Sequence, residues 1–152
     1  MILIAHRGNT AGPRPDLENR PSYIEESLMC GYHAEVDVWF TKGNFYTGHD
    51  KPTYPVDLGW FLSPNKEGGR RLWVHCKNIE AAVELQNLDL NLFFHDSDEC
   101  VVTSHGFVWA YPGKEIPGSI SVLPEQSGAD LPEGLLGVCS DFIVNYGGVH
   151  HG

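Results

Sequence analysis

Seven short apolar runs punctuate the chain, at residues 2–5, 34–40, 72–74, 92–94, 100–102, 120–123 and 138–144. Several are rich in β-branched or aromatic residues, and runs of that length and composition predict strands. Two intervening stretches carry a different period. Arg20-Pro21-Ser22 opens a helix, with Pro21 suited to its first turn. Tyr23, Ile24, Ser27, Leu28 and Cys30 keep helical spacing until Gly31 ends it. A second helix runs from about Asn78, a good N-cap, to Asn87, with Ile79, Ala82, Val83 and Leu85 on or near one face. Residues 51–71 and 111–118 read as loops. Strand–helix–strand–helix order predicts a parallel α/β arrangement.

The polar positions at the ends of these runs are the more informative pattern. The first run ends in His6-Arg7-Gly8, the third in His75 and the fourth in His95-Asp96, while Thr103-Ser104-His105 follows the fifth and the last contains Asp141. Titratable groups at the C-terminal ends of successive parallel strands mark the active face of barrel and open α/β folds. Within the second run, Glu35 and Asp37 stand two apart, so both carboxylates share one strand face and Val36 and Val38 the other. Two like charges side by side are reconciled either by a cation, for which oxygen donors suit Mg²⁺ or Ca²⁺, or by an edge strand with a solvated polar face. Thr41-Lys42-Gly43-Asn44 is a turn, and a short β-excursion after it returns His49 to the same end of the sheet. The alternation in Trp73-Val74-His75-Cys76-Lys77 puts His75 and Lys77 together.

Composition narrows the partners. The 152 residues make one domain, 1–152, with ten basic residues against twenty acidic ones and a net charge of −10. Such a surface repels nucleic acid and anionic membranes, so an anionic substrate needs a local positive site. No apolar run approaches the roughly 20 residues of a membrane helix, and the opening Met1–Ala5 is too short for a signal peptide's core. A cytoplasmic location without membrane insertion is the expectation. Cys30, Cys76, Cys100 and Cys139 lack metal or redox spacing and read as reduced thiols. His33 reads as a surface residue and His150-His151 as a frayed tail.

Together, Ile4-Ala5-His6-Arg7-Gly8, Glu18-Asn19, Ala34-Glu35-Val36-Asp37-Val38, Thr41-Lys42 and Gly48-His49-Asp50 resemble the glycerophosphodiester phosphodiesterase family of phospholipase C-like enzymes. The match covers about the first third of the chain. The resemblance implies an α/β fold, a TIM-type (βα) barrel, here compact and reduced because such barrels take about 250 residues. It implies that His6 and His49 are the acid/base pair, that Arg7 and Lys77 contact the phosphate, and that Glu35 and Asp37 hold a divalent metal. Glu18 and Asn19 match a Glu-Asn-Thr element with a supporting role, Arg20 standing in the threonine's place. The family's third-strand glutamate is His75 here, which adds Mn²⁺ or Zn²⁺ to the candidates for a metal held by Glu35, Asp37 and His75. Trp109 and Tyr111 are candidates for the floor of the substrate pocket.

The activity so implied is metal-dependent hydrolysis of a small phosphodiester, glycerophosphodiester-type. The alternatives are a catalytically silent phosphate-ester-binding module, motivated by His75, and a lysophospholipase D or sphingomyelinase D-like activity. Ser104-His105 lacks a nucleophile elbow, and no H-E-x-x-H, Walker or dinucleotide motif is present. Flanks without helices would expose apolar surface and favour a homodimer.

Overall fold

The apolar runs pair into one mixed sheet, ten-stranded among the described residues. A computed structural model describes residues 1–147, so His150-His151 lie outside the described residues. The strands are β1 (Ile2–Ala5), β2 (His33–Thr41), β3 (Asn44–Thr47), β4 (Tyr54–Val56), β5 (Leu72–Cys76), β6 (Asn91–Phe93), β7 (Cys100–Val102), β8 (Val108–Ala110), β9 (Ile120–Val122) and β10 (Gly137–Ser140). Three α-helices accompany them: α1 (Pro21–Met29), α2 (Leu58–Leu62) and α3 (Ile79–Leu85). α1 starts on Pro21, and Asn78 caps α3 by accepting from the Ala81 amide at 3.1 Å.

This is not the TIM-type (βα) barrel expected from the sequence, reduced or otherwise. The sheet is mixed, and helices do not alternate with strands. β1 lies between β2 and β10, parallel to both. β5 and β6 continue in parallel beyond β2, and β9 and β8 beyond β10. Antiparallel pairing enters through the β2–β3–β4 meander and the β7–β8 hairpin. The reason is local. A helical crossover needs a dozen or more residues with a 3.6-residue period. Between Ala110 and Ile120 the chain instead carries Pro112, Gly113, Pro117 and Gly118. Strand breakers make those connections turns.

Other expectations change in detail. The 51–71 loop contains β4, α2 and a 3₁₀ turn at Pro64–Gly69. The run at 138–144 leaves the sheet after Ser140 and enters a 3₁₀ turn at Ile143–Tyr146. β8 emerges around Trp109, where tertiary pairing adds a strand that the pattern did not single out. His33 is half-buried rather than superficial, its Nδ1 accepting from the Trp73 indole at 3.1 Å. All four cysteines are free. Among the described residues, no helix is long and apolar enough to cross a membrane.

Alternation sorts side chains to the two faces. On the outer face, Val36, Val38, Leu72 and Val74 pack beneath Ile24 and Leu28 of α1, Phe61 of α2, and Ala81 and Leu85 of α3. Ile4, Trp73, Phe93, Trp109, Ile120 and Cys139 form a separate cluster on the inner face. There Trp73 of β5 stacks on Trp109 of β8 at 5.4 Å, although several strands separate them in the sheet. Such contact requires strong curling of the sheet. The Ser104 amide completes the approach, donating to the Leu92 carbonyl at 2.8 Å. The curl turns the C-terminal ends of β1, β2, β5, β6 and β8 toward one another.

Candidate active site

A cavity of about 140 Å³ lies where these strand ends meet, bordered on one side by His6, Arg7, Glu35, Asp37, His49 and His75. Period-2 geometry explains the carboxylates. With Val36 and Val38 under the helices, Glu35 and Asp37 point inward, each about 2% exposed or less. His6 and Arg7 follow β1 directly, in a 3₁₀ turn where Arg7 takes φ 52°. Gly8 permits that turn at φ 88°, where a Cβ would collide with Tyr23. His49 follows Gly48, whose φ of 149° and crowding by the Lys51 carbonyl exclude a side chain. The Gly48 amide donates to the Asp37 carbonyl at 3.1 Å, tying the His49 loop to β2.

Asp37 is the hub. Its Oδ2 accepts from Asn19 Nδ2 at 2.9 Å and from His49 Nδ1 at 3.3 Å, while Arg7 Nε lies 3.2 Å away. The Asp37 amide in turn donates to Asn19 Oδ1 at 2.9 Å. Asn19 adopts φ 65° to make this two-way clasp. His75 Nδ1 stands 3.0 Å from Asp37 Oδ1, without hydrogen-bond alignment. Arg7 Nη2 donates to His49 Nε2 at 3.3 Å, which places a ring proton on Nδ1, toward Asp37. Glu35 Oε2 accepts the Arg7 amide at 3.1 Å and lies 3.8 Å from His6 Nε2.

The charges of the two carboxylates are set differently. Burial pushes Glu35 up, and the negative charge of Asp37 adds to it against the pull of His6, Arg7 and His75. Burial would also raise Asp37, but contacts from His49 and His75, with the Arg7 charge, hold it well below the usual carboxylate range. His6 is raised despite its burial, because Asp141 and Glu35 favour its cation.

Each expected residue has a place. His6, His49, Arg7, Glu35, Asp37 and His75 converge, and Trp109 borders the cavity, 1% exposed and packed 4.7 Å from Phe93. Glu18 lies just outside it, 3.9 Å from Arg7 Nη1, and accepts from Asn9 Nδ2 at 2.9 Å. Lys77 does not border the cavity: β5 ends at Cys76, and the Lys77 amide donates to the Val38 carbonyl.

Three further residues join that motif spacing did not assign. Asp141 accepts from His6 Nδ1 at 2.7 Å and from Asn9 Nδ2 at 2.8 Å, so Asn9 bridges Asp141 to Glu18. The position of Asp141 at the end of the last run was its only signal. His95 borders the cavity beside Tyr111, from the side opposite Arg7. The His95 ring stacks on Tyr111 at 3.7 Å between centroids.

A divalent cation fits the donors present. One ligand atom from each of Glu35, Asp37 and His75 lies within 4.8 Å of the others. Asp37 Oδ1 is buried without a hydrogen-bond partner among the described residues. Two carboxylates with one imidazole suit Mg²⁺ or Mn²⁺, and Zn²⁺ equally by donor type. Compared with protein-family models, curated proteins and solved structures, the chain finds no match.

Proposed function

We propose that this protein is a metal-dependent phosphodiester hydrolase, acting on a small glycerophosphodiester-type substrate. The observation that carries this reading is a pair of buried polar atoms with ion-pair contacts but no hydrogen bond, Arg7 Nε at 3.2 Å from Asp37 Oδ2 and Asp37 Oδ1 at 3.0 Å from His75 Nδ1. Arg7 Nε is a donor and Asp37 Oδ1 an acceptor, and neither makes a hydrogen bond among the described residues. A phosphate and a cation are what such a pair accommodates together, because unsatisfied buried polar atoms are costly. The resemblance of this residue set to the glycerophosphodiester phosphodiesterases supports the same chemistry, and rests on the site rather than on the fold.

Glu35, Asp37 and His75 would hold the cation, which when bound supplies charge neutralisation at the phosphate. Arg7 binds a phosphate oxygen. His49, with Nε2 as its accepting nitrogen, takes a proton from the attacking water as the new P–O bond forms. His6, whose Nδ1 is held by Asp141, gives a proton from Nε2 to the departing alkoxide as the other P–O bond breaks. The products are a phosphomonoester and an alcohol.

The test is release of alcohol from bis(p-nitrophenyl) phosphate and from glycerophosphodiesters after chelation, with Mg²⁺, Ca²⁺, Mn²⁺ and Zn²⁺ restored one at a time. Restored turnover that is lost in Glu35→Ala, His6→Ala and His49→Ala is expected. Silence with every metal, with phosphate esters still bound, would instead make the protein a binding module. Wild-type turnover in folded His6→Ala or His49→Ala would overturn the acid/base assignment.

A further inference from the structure

Resting on the reading just given, we propose that His95, held by stacking on Tyr111, recognises a hydroxyl group on the alcohol half of the substrate.

The two sides of the cavity differ in kind. Charge is concentrated where β1 and β2 end, at Arg7, Glu35 and Asp37, and a phosphate belongs there. The facing side comes from β6, β8 and β9: Phe93, His95, Trp109, Tyr111, Val122 and Leu123. It carries no formally charged carboxylate, lysine or arginine. Carbon-bearing groups suit such a surface, and a few placed polar atoms on it select among them. Its polar groups are the His95 imidazole, the Tyr111 hydroxyl and the Trp109 indole N–H.

His95 is positioned rather than loose. It stacks on Tyr111 with rings 19° apart, and its carbonyl oxygen lies 3.4 Å from His75 Nε2. His75 itself stacks on Phe93 at 5.0 Å. A chain of rings thus runs from the metal-type donors to His95. Its Nδ1 is buried without a partner among the described residues. A buried N–H without an acceptor costs more than a bare ring nitrogen, so the proton belongs on Nε2. His95 therefore offers an N–H donor, which a substrate hydroxyl oxygen accepts. A volume of about 140 Å³ has room for a phosphate with one short alcohol. His95 is then a substrate contact, and Tyr111 a positioning residue.

The experiment compares two monoesters that a diesterase leaves intact, glycerol 3-phosphate and propyl phosphate. They share carbon skeleton and phosphate and differ only in hydroxyls. Dissociation constants come from NMR titration with Mg²⁺ present. Wild-type protein is expected to prefer glycerol 3-phosphate by about tenfold, the order of one well-placed hydrogen bond. His95→Ala and Tyr111→Ala should bring the ratio within twofold, while Tyr111→Phe, which keeps the stack, should retain it. A wild-type protein without preference, a ratio unchanged in His95→Ala, or equal weakening of both ligands would each overturn the inference. Absence of diester turnover with the preference intact would instead overturn the hydrolase reading alone.

Discussion

Glu35 and Asp37 are two residues apart on one strand face, yet neutralising them should move stability in opposite directions. In chelated protein at neutral pH, the Asp37 carboxylate is held by Asn19 at 2.9 Å, by His49 at 3.3 Å and by the Arg7 charge at 3.2 Å. Asp37→Asn keeps the shape, removes the charge and turns an amide N–H₂ or a weaker acceptor toward those donors. Breaking one member of a buried charged network costs about 3 kcal/mol. At a urea m-value of about 2 kcal/mol/M the midpoint falls by about 1.5 M. Glu35→Gln keeps an oxygen for the Arg7 amide and removes repulsion from Asp37, so the midpoint should hold or rise by up to about 0.5 M. Linkage gives the pH dependence. The Asp37 contribution is present above its ordinary value of 3.8 and is lost as pH falls through its depressed native value. The Glu35 penalty is absent well below its ordinary value of 4.5 and is complete once pH passes its raised native value. Urea titrations of the wild type and both variants in chelator, at pH 7 and at pH 4, provide the assay. Equal loss of stability in both variants at pH 7 would refute the reasoning.

Asp141→Asn removes a charge-assisted bond to His6 worth about 2 kcal/mol, so diester turnover should fall about 30-fold and the urea midpoint by about 1 M. Unchanged turnover would show that His6 needs no partner. Gly8→Ala puts a Cβ at positive φ, 2.9 Å from Tyr23 Cδ1, and should cost about 2 kcal/mol or more in thermal melting, with a wild-type melt counting against that turn geometry. Iodoacetamide should label exposed Cys30 and Cys100 in native protein at pH 8 but spare Cys76 and Cys139, by mass spectrometry. Burial pushes the Cys76 thiol up to about 12 and raises Cys139 well above the usual thiol range, so labelling of either without unfolding would contradict the packing.

Much of this molecule is local and therefore readable along the chain. β1, β5 and β7 begin and end close to their apolar runs, because a short β-branched or aromatic segment has few other uses. Pro21 and Asn78 start helices wherever they meet a helical period. The inward pairing of Glu35 and Asp37 follows from strand alternation alone, and His6, Arg7 and His49 were identifiable from motif order. What the tertiary structure decided is everything that depends on distant segments. Strand order gathers segments from the whole chain, and the curl that brings Trp73 to Trp109 is invisible in either tryptophan's neighbourhood. The barrel implied by the family resemblance failed for this reason: the matching motifs and both helices lie in the first part of the chain, and the Pro- and Gly-rich second half does not continue them. Asp141 reaches His6 across 135 residues, and His95 meets Tyr111 only because the curl brings the ends of β6 and β8 together on one side of the cavity. Lys77 shows the converse. Alternation placed it beside His75, but the strand ends one residue earlier, and a side chain beyond the last ladder pair takes its direction from the turn rather than from the sheet.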